Sequence, residues 1–141
     1  MKILFICWAN VGRSQMGAAF YNHLTHSADA DAAGTKVELP GETLQERRLR
    51  RGGTYVIDAM NEENIDISNR KMVQLTSNML DSYDKIISMA DKHYTPLWLS
   101  RHSKYEYWDV KDPGGKGLAE TDIAKNDIKL KVEELVRHLG N

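Results

Sequence analysis

The stretch Ile3-Leu4-Phe5-Ile6-Cys7-Trp8-Ala9-Asn10-Val11-Gly12-Arg13-Ser14 opens on four consecutive apolar residues and closes on an arginine and a hydroxyl. A helical pattern begins directly after it, near Gln15. Apolar residues that run on without alternating suit a strand buried on both faces, as in a parallel sheet. A cysteine therefore stands where a strand ends, and a short loop feeds from it into a helix N-terminus.

A helix start presents unpaired N–H groups and the positive end of the helix dipole, so it attracts anions. A tight loop that turns successive N–H groups inward makes a nest for a tetrahedral oxyanion. Arg13 adds a planar fork for two of its oxygens. The same positive field favours the thiolate of Cys7 over the thiol, and Ser14 is placed to donate to it. Gly12 permits angles that a tight loop needs. Asn10 tolerates the left-handed region, and its amide can brace the loop. The candidate anion-binding residues are thus Trp8, Ala9, Asn10, Val11, Gly12, Arg13 and Ser14, with Cys7 as nucleophile.

Lone cysteines are mostly small buried hydrophobes. Here the context weighs against that reading. An arginine six places after a given cysteine arises by chance in roughly one case in twenty. A serine next to it, a strand before and a helix after make coincidence much rarer.

With 141 residues, the chain is expected to form one domain, residues 1–141, with a proper core. A net charge of −1 gives no general reason to bind nucleic acid or membrane. A single cysteine excludes an intrachain disulfide and suits a reducing cytoplasm. The apolar run near the N-terminus is too short for a signal-peptide core or a membrane span, so a soluble cytoplasmic protein is expected.

Strands are predicted over residues 2–7, 29–34, 84–89 and 104–108. Helices are predicted over 14–25, 54–64 and 121–139, with short ones after Thr76 and from Thr95 to Leu99, each capped by its threonine. In the first helix Met16, Ala19, Phe20 and Leu24 share a face, and in the last Ile128, Val132, Leu135, Val136 and Leu139 do, with Gly140 as the stop. His23 and His26 have a spacing open to metal binding, but histidines at a helix end more often complement its dipole. His93, after the third strand, reads as a surface residue. Residues 36–53 are the least ordered part by composition. Within them, Arg47-Arg48-Leu49-Arg50-Arg51 is open to two readings: a basic lip drawing in anionic substrates, or a solvated charged loop or helix face, which is preferred. Strands alternating with helices imply right-handed crossovers, a parallel sheet, and ligands at the carboxyl ends of its strands.

The Cys7–Ser14 loop resembles the phosphate-binding loop of the low-molecular-weight protein tyrosine phosphatases, a family that includes related arsenate reductases. Ala33-Gly34-Thr35, Ile65-Asp66-Ile67-Ser68 and Asp84–Met89 are also similar to that family, so the likeness covers nearly the whole chain. It implies a three-layer flavodoxin-like α/β fold, with a four-stranded parallel sheet and helices on both faces. It also implies that Asp112, before Pro113, is the general acid, since Asp112-Pro113 matches the family's aspartate-proline pair. Asp109 is the rival acid on the same loop. The activity implied is hydrolysis of a phosphorylated protein or small phosphomonoester through a phosphocysteine, with no metal or cofactor required. An acidic pH optimum is expected, because Asp112 must be protonated while Cys7 is ionised.

Three departures matter. Gly12 stands where many family phosphatases carry a second cysteine, so oxidised Cys7 has no resolving partner in this chain. Gly114 and Gly115 follow Pro113 where tyrosine phosphatases of the family place aromatics. Trp8 or a tyrosine elsewhere is left to supply that wall, against core packing as the other role for Trp8. The extra cysteines of thioredoxin-coupled arsenate reductases are missing, but reduction of arsenate with an external low-molecular-weight thiol needs one nucleophile only. That reading stays open, as does a non-catalytic oxyanion or phosphoprotein binder.

Overall fold

A computed structural model describes residues 1–139. Four strands, β1 (Ile3–Cys7), β2 (Ala30–Gly34), β3 (Lys85–Ser88) and β4 (Tyr105–Tyr107), form one sheet in the order β2-β1-β3-β4. Every pairing is parallel, and the order is that of a flavodoxin-like fold. The helices are α1 (Arg13–Thr25), α2 (Leu44–Arg51), α3 (Val56–Asn61), α4 (Leu97–Ser100) and α5 (Leu118–Leu139).

The apolar run of β1 divides by alternation between two cores. Ile3 and Phe5 join Ile87 and the inner faces of α1, α3 and α5. Leu4 and Ile6 join Ile86, Leu75, Leu80 and Leu99 on the other face, where a 3-10 turn (Ser77–Ser82) and α4 supply the cover. All five residues of β1 are buried. At roughly 1.5–3 kcal/mol for each fully buried aliphatic or aromatic side chain, this strand anchors both layers. Its neighbours lie in register, with Cys7 opposite Gly34 and Ile6 opposite Ser88. The carboxyl ends of the three strands therefore lie level. The sheet order reverses at β1, which puts its carboxyl end at the switch point where such sheets bind ligands.

Several local expectations need correction. Residues 44–51 form a helix, although composition made this the least ordered part of the chain. Only Leu44 in it is buried. What starts it is a capping box: the Thr43 hydroxyl accepts from the Glu46 N–H at 3.1 Å, and the Glu46 carboxylate accepts from the Thr43 N–H at 3.0 Å. Thr95 does not cap α4. Pro96 holds that position, and the Thr95 hydroxyl instead donates to the Asp91 carbonyl at 2.8 Å. Residues 13–21 of α1 are buried all round rather than on one face, Leu24 is exposed, and His26 ends that helix in the left-handed conformation, φ 52°. The last helix begins at Leu118, not 121. In it Ile128 and Val132 are buried, Leu135 and Val136 pack at the margin, and Leu139 is exposed. The stop expected at Gly140 lies outside the described residues. No helix among the described residues is long and apolar enough to cross a membrane.

Candidate active site

Cys7 is the last residue of β1, and residues 8–12 turn sharply into α1. The left-handed position in this turn is Asn10, φ 61°, whereas Gly12 has φ −116° and is the residue before the helix. The conformational freedom assigned to Gly12 is therefore used by Asn10, the side chain that tolerates it best outside glycine. None of the backbone N–H groups of residues 9–12 meets a backbone acceptor among the described residues. Those donors, with the start of α1, are the expected nest for an anion.

Asn10 is fully buried behind the turn. Its amide donates to the Ser14 hydroxyl at 2.7 Å, and its carbonyl oxygen accepts from Val73 N–H at 2.8 Å and from the Gln15 amide at 3.0 Å. Arg70 in turn donates to Gln15 at 2.7 Å. The Ser14 hydroxyl lies 3.0 Å from the Cys7 sulfur. Because that oxygen already accepts from Asn10, its own proton is free to point at sulfur. Asn10 and Ser14 thus back the cradle rather than line its opening. The extension of this network to Gln15 and Arg70 has no local signal in the sequence, since Arg70 is 55 residues away from Gln15.

Arg13 is buried. Its Nη1 donates to the carbonyls of Met89 and Val110, the latter at 3.0 Å. These bonds tie the cradle to the end of β3 and to the segment that follows β4. Asp112 lies on that segment, with Oδ2 at 3.7 Å from Arg13 Nη2. Its other oxygen accepts from Gly114 N–H at 2.8 Å, a turn that holds the carboxylate beside the opening. Asp109, the rival acid, is exposed and does not line the cavity.

The cavity, about 190 Å³, is lined by Cys7, Trp8, Ala9, Val11, Gly12 and Arg13, and by Asp112 and Pro113. Cys7, Arg13 and Asp112, up to 105 positions apart in sequence, are thereby brought together. Trp8 lines it and also stacks on Tyr94, ring centroids 4.7 Å apart. Tyr55 was missed as a site residue, and Arg47 belongs to the basic stretch for which a solvated face was preferred over a lip. Tyr55 and Arg47 line the same cavity. Consecutive glycines at φ 65° and 66°, Gly52 and Gly53, turn the chain out of α2 so that residues 53–56 reach it. For Tyr55 the available signal was the glycine pair, and for Arg47 it was the basic run itself. His93 is exposed and stands edge-on to Tyr94.

The first strand of a parallel α/β sheet delivers a Cys-x5-Arg turn to the switch point. The chain belongs to the low molecular weight phosphotyrosine protein phosphatase family, whose model matches residues 2–141. It is similar to the glutaredoxin arsenate reductase of Synechocystis sp., 28% identical over 141 residues, covering 99% of this chain and 98% of that protein. Among solved structures it resembles Vibrio vulnificus Wzb in complex with benzylphosphonate, with a TM-score of 0.82, 22% identity and 97% of each chain covered. It also resembles an arsenate reductase in the phosphate-binding state, with a TM-score of 0.74, 25% identity and 98% of each chain covered. The family's members are enzymes, either phosphatases or arsenate reductases.

Proposed function

We propose that this chain is a cysteine-dependent phosphomonoester hydrolase. In the first step the Cys7 thiolate attacks phosphorus in line with the ester oxygen. The S–P bond forms as the P–O bond breaks, and Asp112 gives its proton to the leaving alkoxide or phenoxide. Arg13 and the N–H groups of the turn hold the equatorial oxygens. In the second step Asp112, now a carboxylate, takes a proton from water as that water attacks phosphorus. The S–P bond breaks, and phosphate leaves with the thiolate restored.

The observation that carries this reading is the shape of the cavity beyond the cradle. Trp8, Val11, Tyr55 and Pro113 wall it, and Asp112 stands at its edge. A bare oxyanion fills only the cradle. An ester with an apolar leaving group uses the wall and the acid as well. Tyr55 supplies the aromatic surface that Gly114 and Gly115 lack.

A second reading is arsenate reduction with an external thiol, favoured by the 28% identity to the Synechocystis glutaredoxin arsenate reductase. Cys7 is the only cysteine, so any disulfide relay must use a thiol from another molecule. The deciding experiment measures hydrolysis of para-nitrophenyl phosphate across pH, with chelator present, by wild type and Cys7→Ser. Arsenate reduction with glutathione and glutaredoxin is measured in parallel. Turnover of the ester with an acidic optimum, abolished in Cys7→Ser, supports the hydrolase. Arsenate reduction without ester turnover overturns it in favour of the reductase, and neither activity leaves an oxyanion binder.

A further inference from the structure

Four arginines crowd residues 47–51, and they are not alike. Arg48 pairs with Asp58 at 3.3 Å. Arg50 pairs with Glu38 at 2.7 Å and with Glu42 at 2.8 Å. Arg51 also pairs with Glu38. These three behave as the solvated, paired face of a short helix. Arg47 differs from them in having no carboxylate in contact and in the cavity it lines. It shares a helix face with Leu44, three residues before it, which is buried. It lines the cavity that holds Cys7, Arg13 and Asp112. Among the described residues no carboxylate lies within 4.0 Å of it, and its one side-chain hydrogen bond is a long one, 3.4 Å, to the Gly52 carbonyl. Burial, and next the neighbouring Arg51, hold its pKa below the usual arginine value.

Glu38 and Glu42 act on this guanidinium only from beyond contact distance, and a half-buried guanidinium with no carboxylate in contact is favoured when a ligand anion completes it. The cradle and Arg13 already account for one oxyanion. We propose that Arg47 is a second anion subsite, and that the preferred substrate is a phosphomonoester carrying another acidic group, a carboxylate or phosphate, close to the scissile ester. This deepens the phosphomonoesterase reading and rests on it. The chemistry suits Arg47 because a guanidinium accepts either group with two parallel hydrogen bonds. The neighbouring arginines do not compete for the ligand, since Glu38, Glu42 and Asp58 engage them.

The test compares phenylphosphonate with its ortho-, meta- and para-carboxyphenyl analogues, none of which can be turned over, by calorimetric titration of wild type, Arg47→Gln and Arg47→Lys. At least one carboxylated isomer is expected to bind wild type about 10-fold tighter than phenylphosphonate, the size of one partly exposed charge-assisted pair. That ratio should fall to about 1 in Arg47→Gln and be partly kept in Arg47→Lys. The ratio is read within each variant, so a general loss of affinity does not imitate the effect. Equal binding of all compounds by wild type overturns this subsite while leaving the phosphatase reading intact, as does a ratio unchanged in Arg47→Gln. Binding of none of them overturns both. Kinetics with the matching phosphate esters and with phosphotyrosine peptides flanked by glutamate or alanine then separate the sources. A preference seen with the carboxyphenyl phosphates alone assigns a small molecule, and one seen also in the glutamate peptide assigns an acidic neighbour in a protein.

Discussion

The hydroxyl of Ser14 sits 3.0 Å from the sulfur of Cys7, with the Asn10 amide donating to the same oxygen at 2.7 Å. With that bond made, the hydroxyl keeps its own proton to donate to a thiolate. A hydrogen bond to a charged group is worth about 1.5–3 kcal/mol, so Ser14→Ala should slow phosphate transfer to Cys7 by about 10- to 100-fold. Carboxymethylation of Cys7 by iodoacetate at pH 6 should slow in parallel, because it depends on the same thiolate. Normal alkylation in an impaired variant would place the role of Ser14 elsewhere.

Asp112 is held beside the opening by its turn with Gly114. If it is the proton donor, Asp112→Asn should reduce hydrolysis of alkyl and unactivated phenyl phosphates by about 100- to 10,000-fold, the usual worth of general acid catalysis. Para-nitrophenyl phosphate, whose leaving group needs less help, should lose less. The check is the dependence of kcat/KM on leaving-group acidity, which should steepen in the variant. An unchanged slope would point to Asp109.

Gly34 closes β2 directly against the cradle. A β-carbon there would lie 2.7 Å from the Trp8 carbonyl oxygen and 2.9 Å from the Asn10 nitrogen. Both are backbone atoms, so the turn must move. Gly34→Ala should reduce activity at least 10-fold and lower the melting temperature, whereas Gly12→Ala, whose β-carbon meets nothing within 4 Å, should leave the melting temperature nearly unchanged. Calorimetric melting of both variants checks the contrast.

Lys125 joins α5 to α3. Its buried ammonium meets Glu62 at 3.2 Å, with Glu63 and Asp122 each at 3.3 Å. Burial pulls its pKa down, but the bonds to the three carboxylates outweigh that and raise it. Glu63, bonded first by Lys129, is held below its ordinary value of 4.5. A lowered carboxyl pKa stabilises the fold above the unfolded value, and that contribution is lost as pH falls through the folded one. Lys125→Met should therefore cost about 1–3 kcal/mol near neutrality, discounted for the exposed carboxylates. The difference from wild type should shrink below pH 4.5. Urea unfolding of both proteins at pH 7 and pH 3.5 measures it.

The strand, turn and first helix were legible because their signals are local. An unbroken apolar run, a cysteine and an arginine six apart, and a helix-forming run after them each announce themselves within a dozen residues. The parallel sheet followed from the alternation of such units. Helix α2 was legible only as a solvated charged loop or helix face, since a single buried residue leaves no periodicity to read, and its stability comes from a capping box and from ion pairs with Glu38 and Glu42, outside the helix. The Thr95 cap failed for a related reason: a hydroxyl can cap forward or bond backward, and only the path of the chain from Asp91 selects the second.

By itself the sequence determined the fold class and the chemical groups held at the end of β1, because strand, turn and helix there are contiguous and depend on neighbouring residues. Tertiary structure alone decided what surrounds those groups. The Arg13 guanidinium reaches the carbonyls of Met89 and Val110, Arg70 reaches Gln15, and the glycine pair after α2 carries Tyr55 to the same cavity as Arg47. The first two join segments tens of residues apart, the third brings residues 47–55 to Cys7 and Asp112, and each meeting depends on how the layers pack, which no local pattern encodes.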